Sequence, residues 1–171
     1  MTEVDFRELA EYPRYKLMAS LIVPRPIALV TTLGDDGVVN AAPFSMFNMV
    51  GEHPPLVMIS LNRLKDGRLK DTAANILRSG EFVVHIADEA IGRQMHDCGH
   101  AHPPEVSELE VVGLGTTASR TVRPPRIAEA PVAFECVLHE KMETDSRYVF
   151  FGLVQWMAAR DGLIDTERWR V

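Results

Sequence analysis

The first strong apolar run in the chain is 27–32, IALVTT, which follows Pro24-Arg25-Pro26 and stops at Gly34-Asp35-Asp36-Gly37. β-Branched and aliphatic residues held between turn residues predict a strand that enters a hairpin. Its partner is expected at 38–42, and a third strand at 56–61, LVMISL, after the break at Pro54-Pro55. At Lys70 the pattern changes. Asp71 is placed to cap a short helix, with Thr72 in its first turn and helix formers over 73–78, until Ser79-Gly80 stops it. Strand character returns at 81–87, EFVVHIA; a second capped helix is expected over 88–95, and 96–104 reads as loop. Two long β runs, 131–141 and 148–159, joined through Glu143-Thr144-Asp145-Ser146, predict a long hairpin.

Strands outnumber helices and follow one another without regular βα alternation. That pattern favours a mainly β, antiparallel barrel with a few short helices over a doubly wound sheet, with an open α+β sheet as the alternative. The 171 residues, 46% apolar and 25% charged, fit one folded domain over 1–171 with a real core. A net charge of −6 with scattered arginines argues against nucleic-acid binding. Two cysteines, Cys98 and Cys136, are too few for a disulfide framework and suit a reducing compartment. Residues 1–10 are polar and acidic, unlike a secretory leader, and no stretch approaches the ~20 apolar residues of a membrane helix. A cytoplasmic protein is expected, with neither nucleic acid nor membrane among its partners.

Four stretches carry candidate chemistry. In Asn40-Ala-Ala-Pro-Phe-Ser-Met-Phe-Asn48, small residues, two aromatics and three hydrogen-bonding side chains sit together, a mixture suited to a flat aromatic ligand; the alternative is a strand bending into a turn. Arg68-Leu-Lys-Asp-Thr72 brings a cation and a hydroxyl to a helix start, where a phosphate binds well, unless Lys70 is simply solvated. Arg25, bracketed by prolines, is either a ligand or partner contact or a surface cation on a stiff turn. Residues 96–102 hold three imidazoles, one thiol and one carboxylate, but their spacing differs from structural zinc patterns, and no metal ligand is assigned. Gly113-Leu-Gly115 lacks the third glycine and the strand-to-helix setting of a dinucleotide fingerprint.

Taken in order, SLIVPRPIALVTT (20–32), VNAAPFSMFN (39–48), LKDTAANI (69–76) and EFVVHI (81–86) resemble the flavin reductase-like, FMN-binding split β-barrel family, over roughly 15–152. The resemblance implies a split β-barrel homodimer with FMN in a groove near the subunit interface, reduced by NADH or NADPH. Carried over by position, it implies that Leu29, Val30, Thr31 and Thr32 run along the isoalloxazine ring. Asn40, Ala42, Phe44, Ser45 and Asn48 hold the ring and ribityl chain, Lys70 and Thr72 lie near the phosphate, and Asp71 fixes the helix start. Two departures stand out: His85 occupies a position where the family often has asparagine, and the family's Gly-rich segment beyond the last long strand is not seen. The resulting expectation is an oxidoreductase passing hydride from NAD(P)H to FMN and on to a second acceptor, with binding residues but no catalytic side chain. The alternatives are an FMN-binding electron carrier or sensor, motivated by the shortened C-terminus, and a metal-dependent hydrolase built on His96, Cys98, His100 and His102.

Overall fold

The computed structural model describes residues 1–171. Helix α1 (Glu11–Leu21) comes first and was not predicted. Pro13 is tolerated because first-turn N–H groups have no intrahelical acceptor. No residue of α1 is buried, so no apolar stripe marks it in the sequence. Arg25 closes its C-terminal end, donating to the carbonyls of Ala19 and, at 2.8 Å, Ile22.

The predicted hairpin is present as β1 (Ala28–Leu33) and β2 (Val39–Phe44). The Asn40 to Asn48 stretch divides between two strands, because β3 (Phe47–Glu52) starts two residues after β2 ends and pairs with β4 (Pro55–Asn62). Then come α2 (Asp71–Ser79) and β5 (Glu81–Ile86). Lys70 occupies the N-cap position of α2 and no side chain caps it, so Asp71 is the first helical residue and not the expected cap. The helix expected over 88–95 is a 3-10 turn (Glu89–Ile91), capped by Asp88 accepting from Ala90 N–H at 3.2 Å, followed by α3 (Gly92–Asp97). Helix α4 (Glu108–Val112) was not predicted; it ends at Gly113, whose φ of 73° explains that glycine. Short strands β6 (Thr116–Thr117) and β7 (Arg126–Ile127) pair with each other, and β8 (Val132–Glu143) and β9 (Arg147–Ala159) form the long hairpin. No helix is long and apolar enough to cross a membrane.

The main sheet is antiparallel, in the order β2-β1-β5-β8-β9-β4-β3. Its two edges, β2 and β3, are joined by Ser45 and Met46 alone. Two intervening residues reach about 11 Å at most, whereas six strand spacings in a flat sheet cover about 29 Å. The sheet therefore curls until its edges approach. It is not closed, since no ladder joins β2 to β3. The expected antiparallel architecture holds; closure into a continuous barrel does not.

The main core comprises Val30, Ile59, Phe82 and Phe150, all fully buried, with Ala73 and Ile76 of α2 packed among them. A Cβ on Gly152 would sit 2.3 Å from Cζ of Phe82, so the ring is seated on a bare glycine. A separate cluster forms between Leu29 and Ala41 of the sheet and Ile91, Cys98, Leu109 and Ile127.

Three fully buried polar side chains hold the segment 119–127 against β1, β5 and β8. Thr31 Oγ1 donates to Pro125 O at 2.7 Å. Glu135 accepts from the Arg120 and Thr121 N–H groups and the Thr121 hydroxyl; burial opposes its charge, but these donors and Arg126 hold its carboxyl below the usual range. His85 Nδ1 lies 2.9 Å from Leu29 O and its Nε2 accepts from Ile127 N–H at 2.9 Å, which assigns the neutral Nδ1–H tautomer.

Burial pushes the His85 pKa down to about 4 from 6.5. The unfolded chain therefore takes up this proton first, and the stability tied to neutral His85 is intact above pH 6.5 and lost as pH falls through about 4. Urea unfolding of wild type and H85Q tests this: between neutral pH and pH 4 wild type loses about 3 kcal/mol more than the variant, which has nothing to titrate there. Equal losses would show that His85 is not held neutral.

Candidate functional site

Most of the residues singled out from the sequence lie on β1, β2, the link from β2 to β3, the first residues of β3 and the start of α2. Strand β1 lies between β2 and β5, so its backbone is paired on both sides. Leu29, Val30, Thr31 and Thr32 are all fully buried. Leu29 faces the second cluster, Val30 the main core, and Thr31 bonds to Pro125. Thr32 Oγ1 accepts from Asn40 Nδ2 at 3.2 Å and from Asn75 Nδ2 at 3.1 Å. The side chains of these four residues are therefore turned into the protein, with none exposed to solvent.

Asn40 links β1 to α2, because its Nδ2 also donates to Thr72 Oγ1 at 2.9 Å. Thr32, Asn40 and Thr72, far apart in sequence, thus meet in one buried cluster. Asn75, one helical turn after Thr72, completes it and was missed; its spacing puts it on the same face of α2 as Thr72, but nothing local shows that this face meets Thr32. The main-chain N–H of Ala41 donates to Glu108 Oε2 at 2.8 Å, and burial pushes the Glu108 carboxyl up. Nothing in the sequence linked Glu108 to β2, because α4 reaches that strand only in the folded chain.

Ala42 and Phe44 follow along β2, with Phe44 buried and Ala42 half-buried against the main core. Ser45 is half-buried in the link itself. Asn48 stands apart, exposed on β3 and opposite Met58 of β4. Lys70 is half-buried, with Nζ 5.7 Å from the Phe44 ring centroid. Burial first, and Arg147 second, push its pKa down. Neither Lys70 nor Arg147 forms an ion pair with a carboxylate. Arg147, at the start of β9, also escaped the sequence reading, since it lies in no motif.

A half-buried cation without a counter-charge, beside a helix start that no side chain caps, has the chemistry that suits an anion such as a phosphate. An adjoining surface of small and aromatic residues suits a flat ring. The donor set therefore fits a flavin mononucleotide. Cys98, by contrast, is buried in the second cluster with its thiol pushed up to about 11 by burial, and it lies outside the group of neighbouring side chains formed by His96, Asp97 and His100.

The flavin reductase like domain model matches residues 18–167. The chain belongs to this family. Flavin is what the family binds. Among solved structures, this flavin reductase-like chain is similar to the 2-nitrobenzoate 2-nitroreductase of Pseudomonas fluorescens, at 40% identity and a TM-score of 0.90, covering 99% of this chain and 82% of that one. Nitrilotriacetate monooxygenase component B from Bacillus cereus is 34% identical with a TM-score of 0.93, covering 100% and 86%. A Shewanella frigidimarina structure described with a split barrel domain has 20% identity and a TM-score of 0.82, covering 96% and 82%, and shares the fold.

Proposed function

We propose that this chain is an FMN-dependent oxidoreductase that takes hydride from NADH or NADPH and delivers electrons to a second acceptor. The observation that carries the reading is Lys70: half-buried, unpaired with any carboxylate, against Phe44 and beside the uncapped start of α2. FMN supplies the hydride-accepting chemistry when bound, and the chain supplies position and polarity. Lys70 and the first N–H groups of α2, that of Thr72 included, hold the phosphate. The Thr72 hydroxyl serves indirectly, because it is turned inward to Asn40. Ala42 and Phe44 form the wall against the ring, Ser45 and Asn48 supply polar contacts across the seam, and Asn40 keeps strand and helix in register. Leu29, Val30, Thr31 and Thr32 support that surface from beneath, on the strand next to the β2 edge of the curled sheet.

The acceptor follows one of two precedents among the similar proteins, a nitro compound or a partner monooxygenase. We also propose a homodimer. Helix α1 buries nothing and leaves Tyr12, Leu17, Met18 and Leu21 exposed, with Ile22 and Val23 directly after. An isolated helix of this length is marginal in water without cover, and a second copy of the chain provides it.

Three measurements test the reading. Anaerobic mixing of FMN-loaded protein with NADH and NADPH should bleach the flavin absorption rapidly with at least one of them; a stable oxidised spectrum with both supports a carrier or sensor instead. Lys70→Ala should weaken FMN about ten- to a hundredfold while leaving riboflavin, which has no phosphate, unchanged; equal effects on both would remove Lys70 from the phosphate. Light scattering should give twice the chain mass, and the double substitution of Leu17 and Leu21 by Glu should halve it. A monomeric wild type loaded with FMN would end the dimer proposal.

A further inference from the structure

The geometry points to a second, unassigned site: we propose that His96, Asp97 and His100 bind one divalent transition cation, zinc or a metal of similar preference. Their ligand atoms all lie within 4.8 Å of one another. The backbone explains how residues so close in sequence converge. Past the end of α3, Gly99 N–H donates to His96 O at 2.9 Å and His100 N–H to Asp97 O at 3.1 Å, so tight turns wind the chain back over the helix end. Cys98 lies between the ligands but points the other way, into the cluster with Leu29 and Ala41. It anchors the turn to β1 and β2, holding the ligand backbone on a rigid platform.

The donor set selects the ion. Two imidazole nitrogens and one carboxylate suit zinc, nickel, cobalt or copper, whereas calcium and magnesium want oxygen alone. Three protein ligands leave a coordination position open. Asp97 and His100 also line a hollow of about 520 Å³ together with Arg93 and His102, room for water or a small anion at that position. The competing partner of Asp97 is weak: Arg93 Nε stands 3.9 Å away, and the Arg93 side chain is 93% exposed. None of the three ligands belongs to the proposed flavin surface, so the two proposals fail or stand separately.

The test is titration of zinc chloride into the tag-free full chain, stripped with chelator, by calorimetry at neutral pH. One zinc per chain is expected, with affinity about a hundredfold lower in the H96A/H100A double variant and retained in H102A. Both substituted imidazoles are exposed, so the fold should persist, and circular dichroism in chelator checks it. No saturable binding in wild type, undiminished binding in the double variant, or loss in H102A would each overturn the assignment. Anomalous scattering from zinc-soaked crystals gives an independent reading: a peak bounded by the three side chains supports the site, and peaks only elsewhere refute it.

Discussion

Ser45 and Met46 must carry the chain from one edge of a seven-stranded sheet to the other, and much of the structure follows from that short link. A two-residue connection forbids a flat sheet, so the strands curl around Val30, Phe82 and Phe150, with α2 lending Ala73 and Ile76 to the same core. Met46 O accepts from Ser60 N–H at 2.8 Å, which fastens the link to β4. The same curl sets Phe44 and Phe47 into one core and leaves Ser45 at the seam between them. The candidate flavin surface is thus a consequence of how the sheet is bent.

Buried polar groups then fix what the apolar core leaves free. Hydrophobic packing tolerates sliding, whereas a buried hydrogen bond left unmade is costly, so such groups specify position. Thr32, Asn40, Thr72 and Asn75 lock β1, β2 and α2 in register. On the other side of the sheet Thr31, His85 and Glu135 hold the segment 119–127, which has only one short strand, β7, of its own. Neutral His85 serves as donor and acceptor at once, and carries a dependence on pH with that role.

The two faces of β1 and β2 thereby carry different chemistry. One leads to Phe44, Lys70 and an uncapped helix start, and fits a phosphorylated ring system. The other packs on Cys98 and presents His96, Asp97 and His100 outward. Both are tied to the same pair of strands, whose six-residue antiparallel ladder fixes their backbones relative to each other.

Much of the fold was legible in the chain. Strands with turn residues at both ends, such as 27–32 and 81–86, are local features, and their alternation, glycines and prolines declare them. The four linked blocks from 20 to 86 also declared the family. Elements without a local signature stayed hidden: α1 buries no stripe, β3 begins inside the stretch 40–48 whose alternative reading is a bend, and α4 is barely more than one turn. Long-range pairings were equally hidden. That Asn75 meets Thr32, that Glu108 receives Ala41, that Arg147 stands near Lys70 and that Cys98 faces away from its histidines were decided by the tertiary structure alone. The physical reason is that such contacts depend on how far the sheet curls, a property of all seven strands together that no window of neighbouring residues contains.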